Sequence, residues 1–163
     1  MALGVKQLHE QWILHWDIKS ANVFLMKDGT VKLGDLNVSK ILKEEGFNYT
    51  QAGTPGYASP EIWKDKPYGL ASDIWSLGCV LYELICLWPP FRAKNIEGLY
   101  LKIVKGIYSP ISSQSSVELS SMVRAMLQTK AERRPTIDEI LEKPYIKWKL
   151  GEIFNPTVLT DTP

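Results

Sequence analysis

The spacing of apolar and polar residues predicts a mainly α-helical chain with one short β-hairpin. Residues 71–87 are apolar nearly all round, which is typical of a helix buried on every side. Two of the other predicted helices begin at residues that favour the N-cap position, Asn95 and Thr136. The full set of further helices is predicted over residues 1–11, 95–105, 117–128 and 136–142.

Two apolar runs, residues 22–26 and 31–33, flank the dipeptide Asp28-Gly29. An Asp-Gly pair between two such runs predicts a β-hairpin. The stretch 35–60 is rich in Gly, Thr, Asn and Pro and has no sustained periodicity, so it predicts one long loop. Long loops within compact domains commonly carry function.

Composition and charge exclude several classes of protein. The chain has 163 residues, 45% of them hydrophobic, with 19 Lys and Arg against 18 Asp and Glu. This balance indicates an ordinary globular domain and no nucleic-acid partner.

The longest apolar stretch, 74–88, contains Glu83 and is shorter than the roughly 20 residues that cross a bilayer, so no membrane partner is expected. The first residues lack an apolar run followed by a cleavage site, and a cytoplasmic location is expected.

Polar residues that can bind a metal ion concentrate around the predicted hairpin. The run HWDIKSAN at 15–22 leads into the first strand, and Asp35 follows the second. The hairpin brings Asn22 and Asp35 back towards each other. Two oxygen ligands of this kind suit Mg²⁺, which is usually held by one or two carboxylates together with the phosphates of a substrate.

Several motifs together carry a resemblance to eukaryotic protein kinases. The spacing H-x-D-x-K-x-x-N at 15–22, followed by Asp35, is similar to the family's catalytic loop and metal-binding segment. GTPGYASPE at 53–61 is similar to the end of its activation segment, and SDIWSLG at 72–78 resembles the start of its central buried helix. The arrangement of the last motif, Arg-Pro-Thr at 134–136, also matches. In detail, the stretches 89–111 and 140–154 resemble NIMA-related kinases.

The resemblance implies a fold and its limits. It covers residues 1–154, which we expect to form a protein-kinase C-terminal lobe, mainly α with one small hairpin, and residues 155–163 are expected to be a polar tail. Only 14 residues precede His15, where the family places a β-rich N-terminal lobe, and the sequence contains no G-x-G motif. We therefore expect the N-terminal lobe to be absent and the kinase domain to be truncated.

Carried over residue by residue, the resemblance implies a phosphoryl-transfer site. Asp17 would accept the proton of the substrate hydroxyl, and Lys19 would steady the transferred phosphate. Asn22 and Asp35 would hold Mg²⁺, and Phe24 is the candidate floor for the adenine base of ATP. The implied reaction transfers the γ-phosphoryl group of ATP to a hydroxyl group.

Two positions imply the class of substrate. Lys19 in the catalytic loop and Thr54 in the activation segment match serine/threonine kinases rather than tyrosine kinases. The hydroxyl group would then belong to a Ser or Thr of a protein substrate or binding partner in the groove of the lobe. Association with the cytoskeleton is a further expectation from the family.

Other matching positions imply a regulatory phosphorylation site and contacts that stabilise the fold. Thr50 stands where these kinases are usually phosphorylated, and Lys40 offers one positive charge for that phosphate. Glu61 would pair with Arg134, and Asp73 begins the central helix.

The departures from the family pattern favour loss of activity. Trp16 stands where most members have the Arg that receives the activation-loop phosphate, and Trp cannot form those charge-assisted hydrogen bonds. With the missing lobe, this predicts a chain that is inactive in isolation. The alternative is a non-catalytic, pseudokinase-like scaffold that binds partners through the groove and the surface around residues 96–105. His9 is interpreted as a helix-surface or capping side chain.

Overall fold

The computed structural model of the chain describes residues 1–36, 40–41 and 54–154. The helices in these ranges are α1 (Ala2–His9), α2 (Pro60–Trp63), α3 (Leu70–Cys86), α4 (Ile96–Lys105), α5 (Val117–Met126), α6 (Ile137–Leu141) and α7 (Pro144–Phe154). The strands are β1 (Ile13–Leu14), β2 (Val23–Leu25), β3 (Val31–Leu33) and β4 (Lys40–Ile41). Three 3₁₀ turns lie at Ser20–Asn22, Pro55–Tyr57 and Ala131–Arg133. The prediction of a mainly helical chain is confirmed.

The predicted hairpin is confirmed as the antiparallel pair β2–β3, in which Phe24 lies opposite Lys32. Gly29 in its turn has a φ of 82°, a left-handed conformation that glycine adopts without strain. The prediction of one loop over 35–60 is wrong in part. Residues 40–41 form β4, which pairs with β1, and α2 begins at Pro60.

Helix α3 runs through the middle of the helical core, as its all-round apolar sequence predicts. One group of buried side chains packs α3 against α1, α5 and α6, and a second packs it against α4, α5 and the loop that contains Phe91. At Gly78, a Cβ atom would lie 2.8 Å from the Cβ of Met126. Helices α3 and α5 therefore approach so closely that only glycine fits at this position.

The predicted caps are present at the start of two helices. The Asn95 side chain accepts a hydrogen bond from the backbone of Gly98, and Thr136 forms a reciprocal capping box with Glu139. The sequence did not predict α2 or α7 as separate helices. Among the residues described, none of the helices combines the length and the apolar character that crossing a bilayer requires.

A buried ion pair joins α2 to the turn before α6. The two guanidinium NH groups of Arg134 donate to the two carboxylate oxygens of Glu61 at 2.6 and 2.7 Å. Ser72, in the first turn of α3, also donates to Glu61, and Arg134 donates further to the carbonyl oxygens of Gln128 and Ala71. The side chains of Arg134 and Glu61 are 0% and 9% exposed, so the pair is screened from water.

We expect the loss of either partner in this pair to destabilise the chain strongly. Arg134→Met or Glu61→Gln leaves a buried group without its partner, which costs about 3–5 kcal/mol when the pair is buried. The measurement is the free energy of unfolding in urea.

Arg133 offers a matched control because it is exposed and adjacent in sequence. Arg133→Met changes the net charge as Arg134→Met does, and it should alter the free energy of unfolding by about 0.5 kcal/mol or less. Equal losses of stability in the two Arg variants would contradict a dominant role for the buried pair.

Candidate functional site

The loop between β1 and β2 gathers three of the predicted site residues around one carboxylate. The Lys19 ammonium donates to Asp17 Oδ2 at 2.5 Å, and the Asn22 side-chain amide donates to Asp17 Oδ2 at 3.2 Å and to the Asp17 carbonyl oxygen at 2.8 Å. The 3₁₀ turn Ser20–Asn22 produces this arrangement because it folds the chain back before β2 begins. Three side chains that are close in sequence thus converge on one point.

Thr54 joins this cluster from a distant part of the sequence. Its hydroxyl donates to Asp17 Oδ1 at 2.9 Å and accepts from the Lys19 ammonium at 2.9 Å. Thr54 immediately precedes the 3₁₀ turn Pro55–Tyr57, which places its side chain beside the loop. Both carboxylate oxygens of Asp17 are therefore held by hydrogen bonds.

These contacts set the protonation state of Asp17. Partial burial raises the pKa of this carboxyl, but the hydrogen bonds from Lys19, Thr54 and Asn22 and the charge of Lys19 outweigh burial and hold the pKa below its ordinary value. Asp17 is consequently ionised at neutral pH. It is a weak base that is well suited to orienting a hydroxyl group and accepting its proton late in a reaction.

Asn22 and Asp35 lie at the same, open end of the hairpin. The Gly34 backbone NH donates to the Asn22 carbonyl oxygen at 3.0 Å, which places Asp35 one residue beyond this contact. Because the amide nitrogen of Asn22 points at Asp17, the amide oxygen faces away from that carboxylate. An amide oxygen and a carboxylate are ligand types that Mg²⁺ takes from proteins when substrate phosphates supply the others.

Phe24 lies beside Gly34, at the same end of the hairpin. A Cβ atom built at Gly34 would lie 2.8 Å from the Phe24 ring, so the ring packs directly on the Gly34 backbone. The Phe24 side chain is 51% exposed, which leaves ring surface open for contact with a planar base.

His15 connects the loop to the segment that carries Asp35. Its Nδ1 accepts from the Asp17 backbone NH at 3.4 Å, so the proton of the neutral ring lies on Nε2, which donates to the Gly34 carbonyl oxygen at 3.2 Å. The ring is fully buried. No separate role for His15 was predicted from the sequence, although its place in the H-x-D motif was the available signal.

The Asp73 carboxylate, in the first turn of α3, binds the backbone of the loop between β1 and β2. One carboxylate oxygen accepts from His9 Nε2 and from the His15 backbone NH, each at 2.9 Å, and the other accepts from the Trp16 backbone NH at 3.0 Å. His9 is 8% exposed, so its interpretation as a helix-surface side chain is wrong. Helix α1 carries His9 onto the first turn of α3, where it completes the set of donors around Asp73.

A further hydrogen-bond chain connects the two halves of the site to α3. The Tyr57 hydroxyl donates to Glu83 at 2.6 Å and lies 3.1 Å from the Ser20 hydroxyl. Partial burial, reinforced by the Glu83 carboxylate, raises the pKa of Tyr57 to about 12. Tyr57 therefore stays protonated and keeps its donor role at all moderate pH values.

Trp16 packs into the core instead of facing an anion. Its side chain is 6% exposed and meets the Tyr68 ring edge-on, with 4.3 Å between the ring centroids. Leu14 completes this small cluster. Trp16 has a φ of 73°, a conformation that costs free energy in a residue other than glycine. The structure describes the backbone of Lys40, opposite Leu14, whereas Thr50 lies outside the described residues.

Comparisons with known proteins identify the family of the chain. The family profile described as "Protein kinase domain" matches residues 1–146. The chain belongs to the protein kinase family.

Several relatives of the chain are Nek kinases. It is 42% identical over 162 residues to serine/threonine-protein kinase Nek1 of Mus musculus, and 42% identical over 163 residues to Nek5 of Homo sapiens, in both cases covering 99% of this chain. Nek4 of Mus musculus is 41% identical over 158 residues, or 96% of this chain. The chain spans 14% of the length of Nek1, 23% of Nek5 and 20% of Nek4. These names give no support to the alternative of a pseudokinase-like scaffold.

We expect Trp16→Arg to destabilise the chain, even though Arg is the usual family residue at this position. The substitution removes a buried indole and places a guanidinium against Leu14 and Tyr68, so the free energy of unfolding should fall by about 3–5 kcal/mol, the range for deleting a buried Trp. Urea denaturation measures this loss.

Trp148→Arg is the matched control because Trp148 is 59% exposed. It should leave the urea midpoint nearly unchanged. An Arg at position 16 that is tolerated as well as an Arg at position 148 would contradict the role of Trp16 as a core residue.

Proposed function

We propose that residues 1–154 form the C-terminal lobe of a serine/threonine protein kinase of the Nek type, with residues 155–163 as a polar tail. The observation that carries this proposal is the cluster of Asp17, Lys19 and Thr54, in which every polar side chain contacts the other two. A structural ion pair on a surface would not need a hydroxyl group from a segment 37 positions away.

In the proposed reaction, Asp17 orients the Ser or Thr hydroxyl of a protein substrate and accepts its proton. The Lys19 ammonium lies beside that carboxylate and offsets negative charge that develops on the transferred phosphoryl group. Asn22 Oδ1 and Asp35 would hold Mg²⁺, which, when bound with ATP, supplies charge neutralisation of the phosphates. The exposed ring of Phe24 would contact the adenine base.

Support for a protein substrate comes from the hydroxyl contact of Thr54. It fixes the segment 54–57 against the catalytic loop, so a peptide lying along this segment would pass directly over Asp17. A cytoplasmic location and association with the cytoskeleton are proposed from the family alone. The regulatory roles of Thr50 and Lys40 are proposed on the same basis.

We further propose that the 163-residue chain on its own transfers phosphate only at background rates. Its sequence contains no G-x-G phosphate loop, and positioning of the reacting groups can supply about 7–11 kcal/mol of barrier reduction. With Mg·ATP and a generic Ser/Thr protein substrate, turnover should equal that of Asp17→Asn. Millimolar Mg·ATP should also raise the melting temperature by no more than about 1–2 °C, because a ligand near its Kd stabilises little.

A chimaera tests the site itself. When the N-terminal lobe of a NIMA-related kinase is joined ahead of Met1, we expect turnover that Asp17→Asn abolishes and that Asp65→Asn leaves unchanged. Asp65 is exposed and has a φ of 49°, which Asn tolerates as Asp does. A folded chimaera whose activity survives Asp17→Asn would contradict the assigned role of Asp17. Turnover by the isolated chain that Asp17→Asn abolishes would contradict the proposed inactivity alone.

A further inference from the structure

A cavity of about 670 Å³ opens between the end of α3 and the start of α4, and the residues of the catalytic loop do not line it. Tyr82 and Tyr108 line its base and belong to a connected group of aromatic rings. The Tyr82 and Tyr108 centroids are 5.6 Å apart, Tyr108 meets Phe91 at 5.8 Å, and Phe91 stacks on Trp75 at 5.2 Å. Because Trp75 and Phe91 are almost fully buried, this base is fixed by the core.

The rim of the cavity is also held in place by contacts within the chain. Pro89 and Pro90 restrict the backbone of the loop that follows α3. The Lys102 ammonium, on α4, donates to the Arg92 carbonyl oxygen at 2.7 Å and so ties that loop to the helix. The Arg92 guanidinium lies 5.5 Å from the Trp88 ring centroid, a cation–π distance. Ordering this surface on ligand binding would therefore cost little free energy.

The charge around the cavity has one sign. Arg92, Lys94 and Lys102 line it, and no Asp or Glu is among its lining residues in the described part of the chain. None of these three cations forms an ion pair with another described residue. Three cations beside one concave surface attract an anionic ligand.

We propose that this cavity binds an acidic segment of a partner protein, in which carboxylates flank an apolar or aromatic side chain. The Arg92 guanidinium suits bidentate contact with a carboxylate, while Trp88 and Ile107 offer apolar surface to the residue between the acids. The cavity volume lies in the range of sites that enclose a few side chains, and the net charge of +1 disfavours a long polyanion. This binding involves no phosphoryl transfer, so it stands independently of the function proposed above.

Fluorescence anisotropy with the full 163-residue chain tests the proposal. The probe is a fluorescein-labelled peptide with the sequence Glu-Glu-Phe-Glu-Glu, and the comparison peptides are Lys-Lys-Phe-Lys-Lys and a Ser-phosphorylated peptide without Glu. We expect the Glu peptide alone to bind, with a Kd below about 1 mM at low salt that weakens as salt rises. Arg92→Glu combined with Lys94→Glu should weaken this binding by about tenfold or more.

The matched control combines Lys105→Glu with Lys130→Glu. Both residues are exposed, neither lines the cavity, and the change in net charge is the same. This control should change the Kd by no more than about twofold, and circular dichroism of both variants establishes that they are folded. Equal weakening in the two double variants, undetectable binding of the Glu peptide, or binding of the phosphorylated peptide alone would each overturn the proposal.

Discussion

The carboxylate of Asp73 is the contact on which the geometry of the candidate site depends. It lies in the first turn of the most buried helix and accepts hydrogen bonds from the His9 ring and from the backbone NH groups of His15 and Trp16. A buried carboxylate is costly unless donors surround it, and here the donors come from α1 and from the loop between β1 and β2. The hydrogen bonds that the buried Asp73 carboxylate requires thereby fix the backbone of His15 and Trp16, immediately before Asp17.

A second buried carboxylate, that of Glu61, connects the segment that carries Thr54 to the same turn of α3. Ser72, the neighbour of Asp73, donates to Glu61, and Glu61 pairs with Arg134. The residues that follow Thr54 are thus anchored to the same turn of α3 as the loop between β1 and β2. Two chain segments that are far apart in sequence meet at Asp17 because both are tied to one rigid helix, and this preorganisation is what a positioning site needs.

The sequence predicted the parts of this structure that local rules determine. The hairpin follows from Asp28-Gly29 between two apolar runs, the helix starts follow from Asn95 and Thr136, and α3 follows from its apolar sequence. The motif spacing also singled out Asp17, Lys19 and Asn22, which the structure brings into contact with one another. Their contacts with Thr54 required the structure, because no local pattern indicates a hydrogen bond across 37 positions.

The errors have the same physical origin. His9 was assigned to the surface because a single His on a short helix carries no sign of a partner 64 residues away. The β1–β4 pair consists of two residues in each strand, which is too short for a period of two to be recognised. Trp16 looked like a lost phosphate ligand in the sequence, whereas the structure buries it against Tyr68, a contact across 52 positions that no local pattern indicates.

Hydrogen exchange at two amides tests the dependence on Asp73 most directly. NMR-detected exchange of the His15 and Trp16 backbone NH groups should be slow in the unaltered chain, because both donate to a buried carboxylate. In Asp73→Asn, loss of the charged acceptor should speed exchange at both amides by about tenfold or more relative to amides of α5. Unchanged exchange at His15 and Trp16 in that variant would show that other contacts hold the loop between β1 and β2, and would contradict the central role of Asp73.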